Sequence, residues 1–200
     1  MSHQLLIALV VFAAAALFTP GPNNIMLMTS GLNYGFTRTL PHLAGVCIGF
    51  TLLVIIAGFG LGAVFSAYPV LQTALKYGGA AYLAFLAVRI ALSHPAKVRE
   101  PADGKPMSFL AAVLFQWVNV KGWISAIGVV TAYAAIAPYP VNILVLSAVM
   151  LAVEFGAAVT WTTLGTSLQS VISQPIAVRI FNVTMALLLL ASLYPVLRAP

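Results

Sequence analysis

Charge is what this sequence has least of. Only 6% of its 200 residues are Asp, Glu, Lys or Arg, against about 25% in a soluble globular domain. Such a chain has no room for a separate soluble domain. Three acidic residues against nine basic ones give a net charge of +6. The basic residues are scattered rather than clustered, which excludes a nucleic-acid patch. There is one cysteine, Cys47, so an internal disulfide and a cysteine metal cluster are excluded. No H-E-x-x-H or similar cluster occurs in the apolar stretches, so the sequence offers an intramembrane enzyme no nucleophile or metal with its base. A metal-ion exporter needs several ligands inside its spans, and only Glu154 and Cys47 are available there. No Lys or Arg precedes the first apolar run, so a cleaved signal peptide is not expected.

Apolar residues, by contrast, make up 62% of the chain, and its mean hydropathy is +1.06. Six apolar stretches stand out, at about 4–28, 41–65, 69–92, 108–134, 141–165 and 176–197, each near the roughly 20 residues that cross a bilayer as a helix. The expected fold is therefore an all-α polytopic membrane protein with six transmembrane helices. Gly31–Gly35 with Arg38, Ala67–Pro69, the charged stretch from Ser93 to Met107, Ala137–Pro140 and Gln169–Pro175 read as the connections. With six spans, Arg38, Lys97, Arg99, Lys105 and Arg179 fall on one side, and Arg89 reaches it by snorkelling. The opposite side carries Arg198 and Lys76. The positive-inside rule then makes the first side cytoplasmic and puts both termini outside.

The first stretch contains Thr19-Pro20-Gly21-Pro22-Asn23-Asn24. Pro20 and Pro22 each lack a backbone N–H and clash with a carbonyl four residues earlier, at Ala16 and Phe18. Gly21 precedes a proline and is pushed to extended geometry. The helix should break here and restart with Pro22 in its first turn. The N–H groups of Asn23, Asn24 and Ile25 are then left without intrahelical partners and attract an anionic group. Irregular backbone at membrane depth persists only where protein or a wet cavity covers it. A kink that merely shapes packing is the plain alternative, but it has no need of two buried carboxamides.

The chain also divides into three spans (about 1–93), a charged loop (about 94–107) and three more spans (about 108–200). An odd number per half orients the halves oppositely, the inverted-repeat plan of many secondary transporters. Leu17-Phe18 before the first break is echoed by Leu114-Phe115 before Gln116-Trp117-Val118-Asn119-Val120-Lys121-Gly122.

The P-G-P-N element resembles the signature of the LysE/RhtB family of amino-acid exporters. The family's fourth span carries an N-P-K-A-like element. Here Asn119-Val120-Lys121-Gly122 keeps Asn and Lys but replaces proline and alanine, so the second break should be softer than the first. Glu154 and Trp161 stand where family members often have an acid and a tryptophan. The resemblance covers essentially the whole chain. It implies efflux of amino acids or close derivatives, driven by the proton gradient, in the bacterial inner membrane, with no cofactor; homo-oligomerisation is left open.

The candidate substrate site comprises Pro20, Gly21, Pro22, Asn23, Asn24, Gln116, Asn119, Lys121, Glu154 and Trp161. Lys121 and Glu154 each lie about fourteen residues into a span, where an isolated charge costs at least about 2.5–3.5 kcal/mol. Either they pair with each other, or each lines a wet cavity beside the break. A fixed pair would only join two spans. On the functional reading, Glu154 alternates between a proton and the substrate ammonium, while Lys121 tunes it or meets the carboxylate. Burial and a neighbouring cation act on a carboxyl in opposite senses, so Glu154 qualifies as a titrating group. With one acid in the spans, a neutral substrate is favoured: cysteine, O-acetylserine, threonine, homoserine or a leucine-like amino acid. A structural or assembly subunit would have no use for midplane Asn, Lys and Glu.

Gly45-x-x-x-Gly49 and Gly58-x-Gly60-x-Gly62 read as close helix-packing faces rather than phosphate loops. Asn182-Val183-Thr184 matches a glycosylation sequon by chance, since it lies inside the sixth span. His3, His42 and His94 sit near segment ends, which reads as interfacial placement; His42 is also a candidate proton group.

Overall fold

The structure, a computed structural model, describes residues 3–61, 67–92, 105–171 and 175–191. Among the described residues all regular structure is helical. Helix α1 (His3–Phe18) is followed by α2 (Pro22–Tyr34), α3 (Phe36–Ile56) with a π-helical turn at Ala57–Leu61, and α4 (Pro69–Ala91). The second half holds α5 (Phe109–Val118), α6 (Val120–Ala132), a 3-10 turn at Ala134–Ile136, α7 (Val141–Val171) and α8 (Pro175–Ala191). Among the described residues two helical stretches, Phe36–Gly60 and Val141–Leu168, are each long and apolar enough to cross a membrane, and the count is four if each bent pair, α1–α2 and α5–α6, is one span. Ile7, Val11, Val70, Leu114 and Ile124 are large apolar side chains left outside the packed interior, as a lipid-facing surface requires. The protein is an all-α, multi-pass membrane protein.

The first break falls where the prolines place it. α1 stops at Phe18, Gly21 is extended (φ −168°, ψ −178°), Pro22 opens α2, and the axes bend by 58°. The second break is sharper than the sequence suggests, at 71°. Proline is not needed there because Asn119 (φ −83°, ψ 95°) acts as an N-cap whose side chain accepts from the Gly122 N–H, satisfying one orphan donor of the restarted helix.

The stretch Gly31–Gly35 is not the polar turn its composition suggests. It is the buried last turn of α2, and only Gly35 (φ 79°) leaves the helix before α3 begins. The polar side chains are helix-to-helix contacts. Asn33 and Asn182 exchange amide hydrogen bonds of 3.0 and 3.1 Å, tying α2 to α8. Gly31 and Gly165 let α2 and α7 touch: a Cβ on Gly31 would overlap the Thr162 carbonyl, and one on Gly165 the Met28 carbonyl. Such close approach of small residues is how helices associate without a hydrophobic drive.

The Gly45/Gly49 face packs as expected. A Cβ at Gly45 would lie 2.7 Å from the Ala112 Cβ, and one at Gly49 would lie 2.8 Å from the Val113 Cα, so α3 sits directly on α5. The second glycine series divides. Gly58 packs on Ile143, whereas Gly60 (φ 110°) has nothing near it and serves as a bend, and Gly62 lies outside the described residues. Lys97, Arg99, His94 and Arg198 likewise lie outside the described residues, as does the side chain of Lys76. His3 is exposed at the start of α1. His42 is 2% exposed within α3. Asn182 is fully buried, so the sequon is sterically closed.

Candidate functional site

The two breaks meet. Pro22, Asn23 and Asn24 from the start of α2, and Asn119, Lys121 and Gly122 from the start of α6, line one cavity together with Glu154 of α7. Ala16 and Leu17 from the end of α1, Gly21, Phe50 and Ser125 complete its wall. Two helix N-termini thus converge on one space, each with partial positive charge, and the C-terminal end of α1 brings partial negative charge beside them. Glu154, 2% exposed, is the acid of that wall. The open volume is about 20 Å³, room for about one water and not for an amino acid. The site is therefore closed around its polar groups.

Two carbonyls at and just beyond the end of α1, those of Leu17 and Thr19, take their partners from the two breaks. The Asn24 carboxamide donates to Leu17 O (2.7 Å) and Thr19 O (3.0 Å). Lys121 crosses from α6 and donates from Nζ to the same Thr19 O at 2.5 Å, an ammonium at a helix C-terminus. Its chain lies over Gly21, where an added Cβ would come within 2.7 Å of Lys121 Cδ and 2.8 Å of Nζ. No ion pair within 4.0 Å joins Lys121 to Glu154 among the described residues. Of the two arrangements open from the sequence, the structure has the one in which each lines the cavity.

A second link spans the breaks. Asn23 and Gln116 exchange carboxamide hydrogen bonds of 2.9 and 3.1 Å. Gln116 is fully buried, also donates to Ala112 O, and takes a long contact from Asn119 Nδ2. It is absent from the cavity wall, so it acts by holding Asn23. Pro20 is exposed outside the wall. Trp161 packs against the Leu27, Leu43, Val46 and Cys47 cluster rather than on the cavity. Of the ten candidates, seven therefore meet at the cavity: Gly21, Pro22, Asn23, Asn24, Asn119, Lys121 and Glu154. The expectation of three free N–H groups narrows to those of Asn23 and Asn24, because the Ile25 N–H bonds Gly21 O at 2.9 Å. Phe50 carried no sequence signal. Ser125 did carry one: it lies one helical turn beyond Lys121, on the same face.

Two helices, each broken once, whose restarts gather with a buried acid on one cavity, form a transporter-type site. The chain belongs to the LysE type translocator family, whose model matches residues 14–192. It is 36% identical over 124 residues to the cysteine/O-acetylserine efflux proteins of Escherichia coli strain K12, Escherichia coli O9:H4 strain HS and Shigella sonnei strain Ss046. In each case the match covers 60% of this chain and 61% of the relative, so the chain spans about three fifths of the length of the curated relatives it matches. No solved structure matches.

Proposed function

We propose that this protein is a secondary active exporter of small neutral amino acids or close derivatives, of the cysteine and O-acetylserine kind, coupled to the proton gradient of the bacterial inner membrane. The carrying observation is that two half-helix N-termini, Lys121 and Glu154 line one closed cavity. A zwitterion fits that pattern. Its carboxylate faces the α2 and α6 N-termini, and its ammonium faces Glu154 and the end of α1. A cationic side chain would need a second acid, and among the described residues Glu154 is the single acid on the cavity wall. Glu154 holds either a proton or the ammonium, so the two compete and efflux is coupled.

The proposal includes six spans arranged as two inverted three-helix repeats, with both termini outside. The matching breaks in the first helix of each half support it, as does the placement of Arg89 and Lys105 on one cavity at one end of the molecule. Lys121 is a cross-link between the repeats as well as a cavity group, since its ammonium already holds the Thr19 carbonyl. Overexpression should lower the intracellular level of cysteine or O-acetylserine and raise it in the medium. Efflux of lysine or arginine, with neutral amino acids left behind, would overturn the substrate class.

A further inference from the structure

A larger cavity, about 410 Å³, lies along α2 towards the end of the molecule that carries Arg89 and Lys105. That volume is within the range of small-molecule sites, and it accommodates the amino acid that the closed cavity cannot. Its wall runs from Tyr34 at the end of α2 to Met26, which is about 6 Å along the helix from Pro22. The Asn23–Gln116 amide bridge is next along that line.

Among the described residues no acid lies on this wall, and Arg89, Lys105, His42, Ser30, Asn33 and Tyr34 are among its polar members. Most of the uncharged ones are already engaged. Ser30 pairs with Thr39, and Asn33 is tied to Asn182. His42 differs. It is 2% exposed, and neither Nδ1 nor Nε2 has a hydrogen-bond partner among the described residues. A buried polar group without a partner is costly, so the imidazole is the group of this wall most in need of one.

We infer that this cavity is a first docking subsite, in which His42 donates a ring N–H to the carboxylate of an incoming amino acid while Arg89 and Lys105 at the rim draw that carboxylate in. The inference rests on the amino-acid export reading and adds an order of events to it. The carboxylate is held first by His42, then passes the Asn23–Gln116 bridge to the α2 N-terminus, where Glu154 receives the ammonium.

The test uses the full chain in proteoliposomes with an acidic interior and measures uptake of L-[35S]cysteine, kept reduced, against concentration. His42→Leu should raise the half-saturating concentration about tenfold and leave the maximal rate within about twofold, the size of a lost charge-assisted hydrogen bond. His42→Gln keeps an N–H donor and should recover most of that shift. Arg89→Gln and Lys105→Gln, which are exposed and cannot upset the core, should each raise it about threefold and carry the test if His42→Leu fails to fold. The shifts should persist in pure phosphatidylcholine. Shifts seen only with anionic lipid would assign the cavity to a headgroup phosphate and overturn the inference. Active wild-type protein with unchanged half-saturation in His42→Leu and Arg89→Gln would overturn it while leaving export intact. Wild-type protein that moves no amino acid would overturn both.

Discussion

Gly21→Ala perturbs a single contact at the site. The backbone there is extended (φ −168°, ψ −178°), a conformation open to alanine, so no strain accompanies the change. The new methyl would lie 2.7 Å from Lys121 Cδ and 2.8 Å from its Nζ. Those atoms belong to a flexible side chain, so Lys121 moves and its bond to the Thr19 carbonyl is lost. A hydrogen bond from a charged group contributes about 1.5–3 kcal/mol. This one is partly exposed, so the lower end applies, equivalent to about a tenfold effect. Gly21→Ala should therefore insert normally and export about tenfold more slowly in a vesicle assay normalised to protein abundance. Because the effect runs through Lys121, the double mutant Gly21→Ala with Lys121→Met should be no worse than Lys121→Met alone, a strong departure from additivity. Gly165→Ala is the contrasting control. Its methyl would meet backbone, 2.8 Å from the Met28 carbonyl carbon and 3.0 Å from Leu32 N, which cannot swing aside. Overpacking of this kind costs about 1–3 kcal/mol, so abundance and thermal stability should fall while export per folded molecule holds. Export by Gly21→Ala within twofold of wild type would refute the role given to the Lys121–Thr19 contact.

Pro20→Ala with Pro22→Ala should allow a continuous first helix, give normal membrane insertion and remove most export; unchanged export would make the break architectural only. Asn33→Leu should lower the melting temperature by removing the two amide hydrogen bonds that tie α2 to Asn182 of α8, at about 1–3 kcal/mol, as read by thermal unfolding in detergent. Asn23→Ala removes one end of the amide bridge to Gln116 and should weaken substrate affinity more than it slows the maximal rate, as read from the concentration dependence of export.

The first break was legible in the sequence because proline acts locally: a missing N–H and a ring clash need no knowledge of the rest of the fold. The second break was underestimated because its cause is a side chain. Asn119 reaches the Gly122 N–H only once the chain has already turned, and a sequence shows Asn, not its rotamer. Gly31–Asn33 looked like a loop because polar residues between apolar runs usually are one. Here they are spent on α7 and α8, in pairings 149 residues apart for Asn33 and Asn182. The same reason separates Gln116 and Trp161 from the cavity: residue type and position in the sequence pointed to it, but facing depends on packing. The burial of His42 was not legible, because nothing in its own segment tells which face of α3 is covered.

The central claim is that Glu154 exchanges a proton for the substrate ammonium inside the cavity formed by the two breaks. Its most direct test compares wild type and Glu154→Gln in proteoliposomes, with uptake of L-[35S]cysteine followed with and without a pH gradient. Wild type should accumulate cysteine only when the gradient is imposed. Glu154→Gln should lose that dependence while still exchanging cysteine across the membrane at equal concentrations. Accumulation that remains driven by the gradient in Glu154→Gln would contradict the claim.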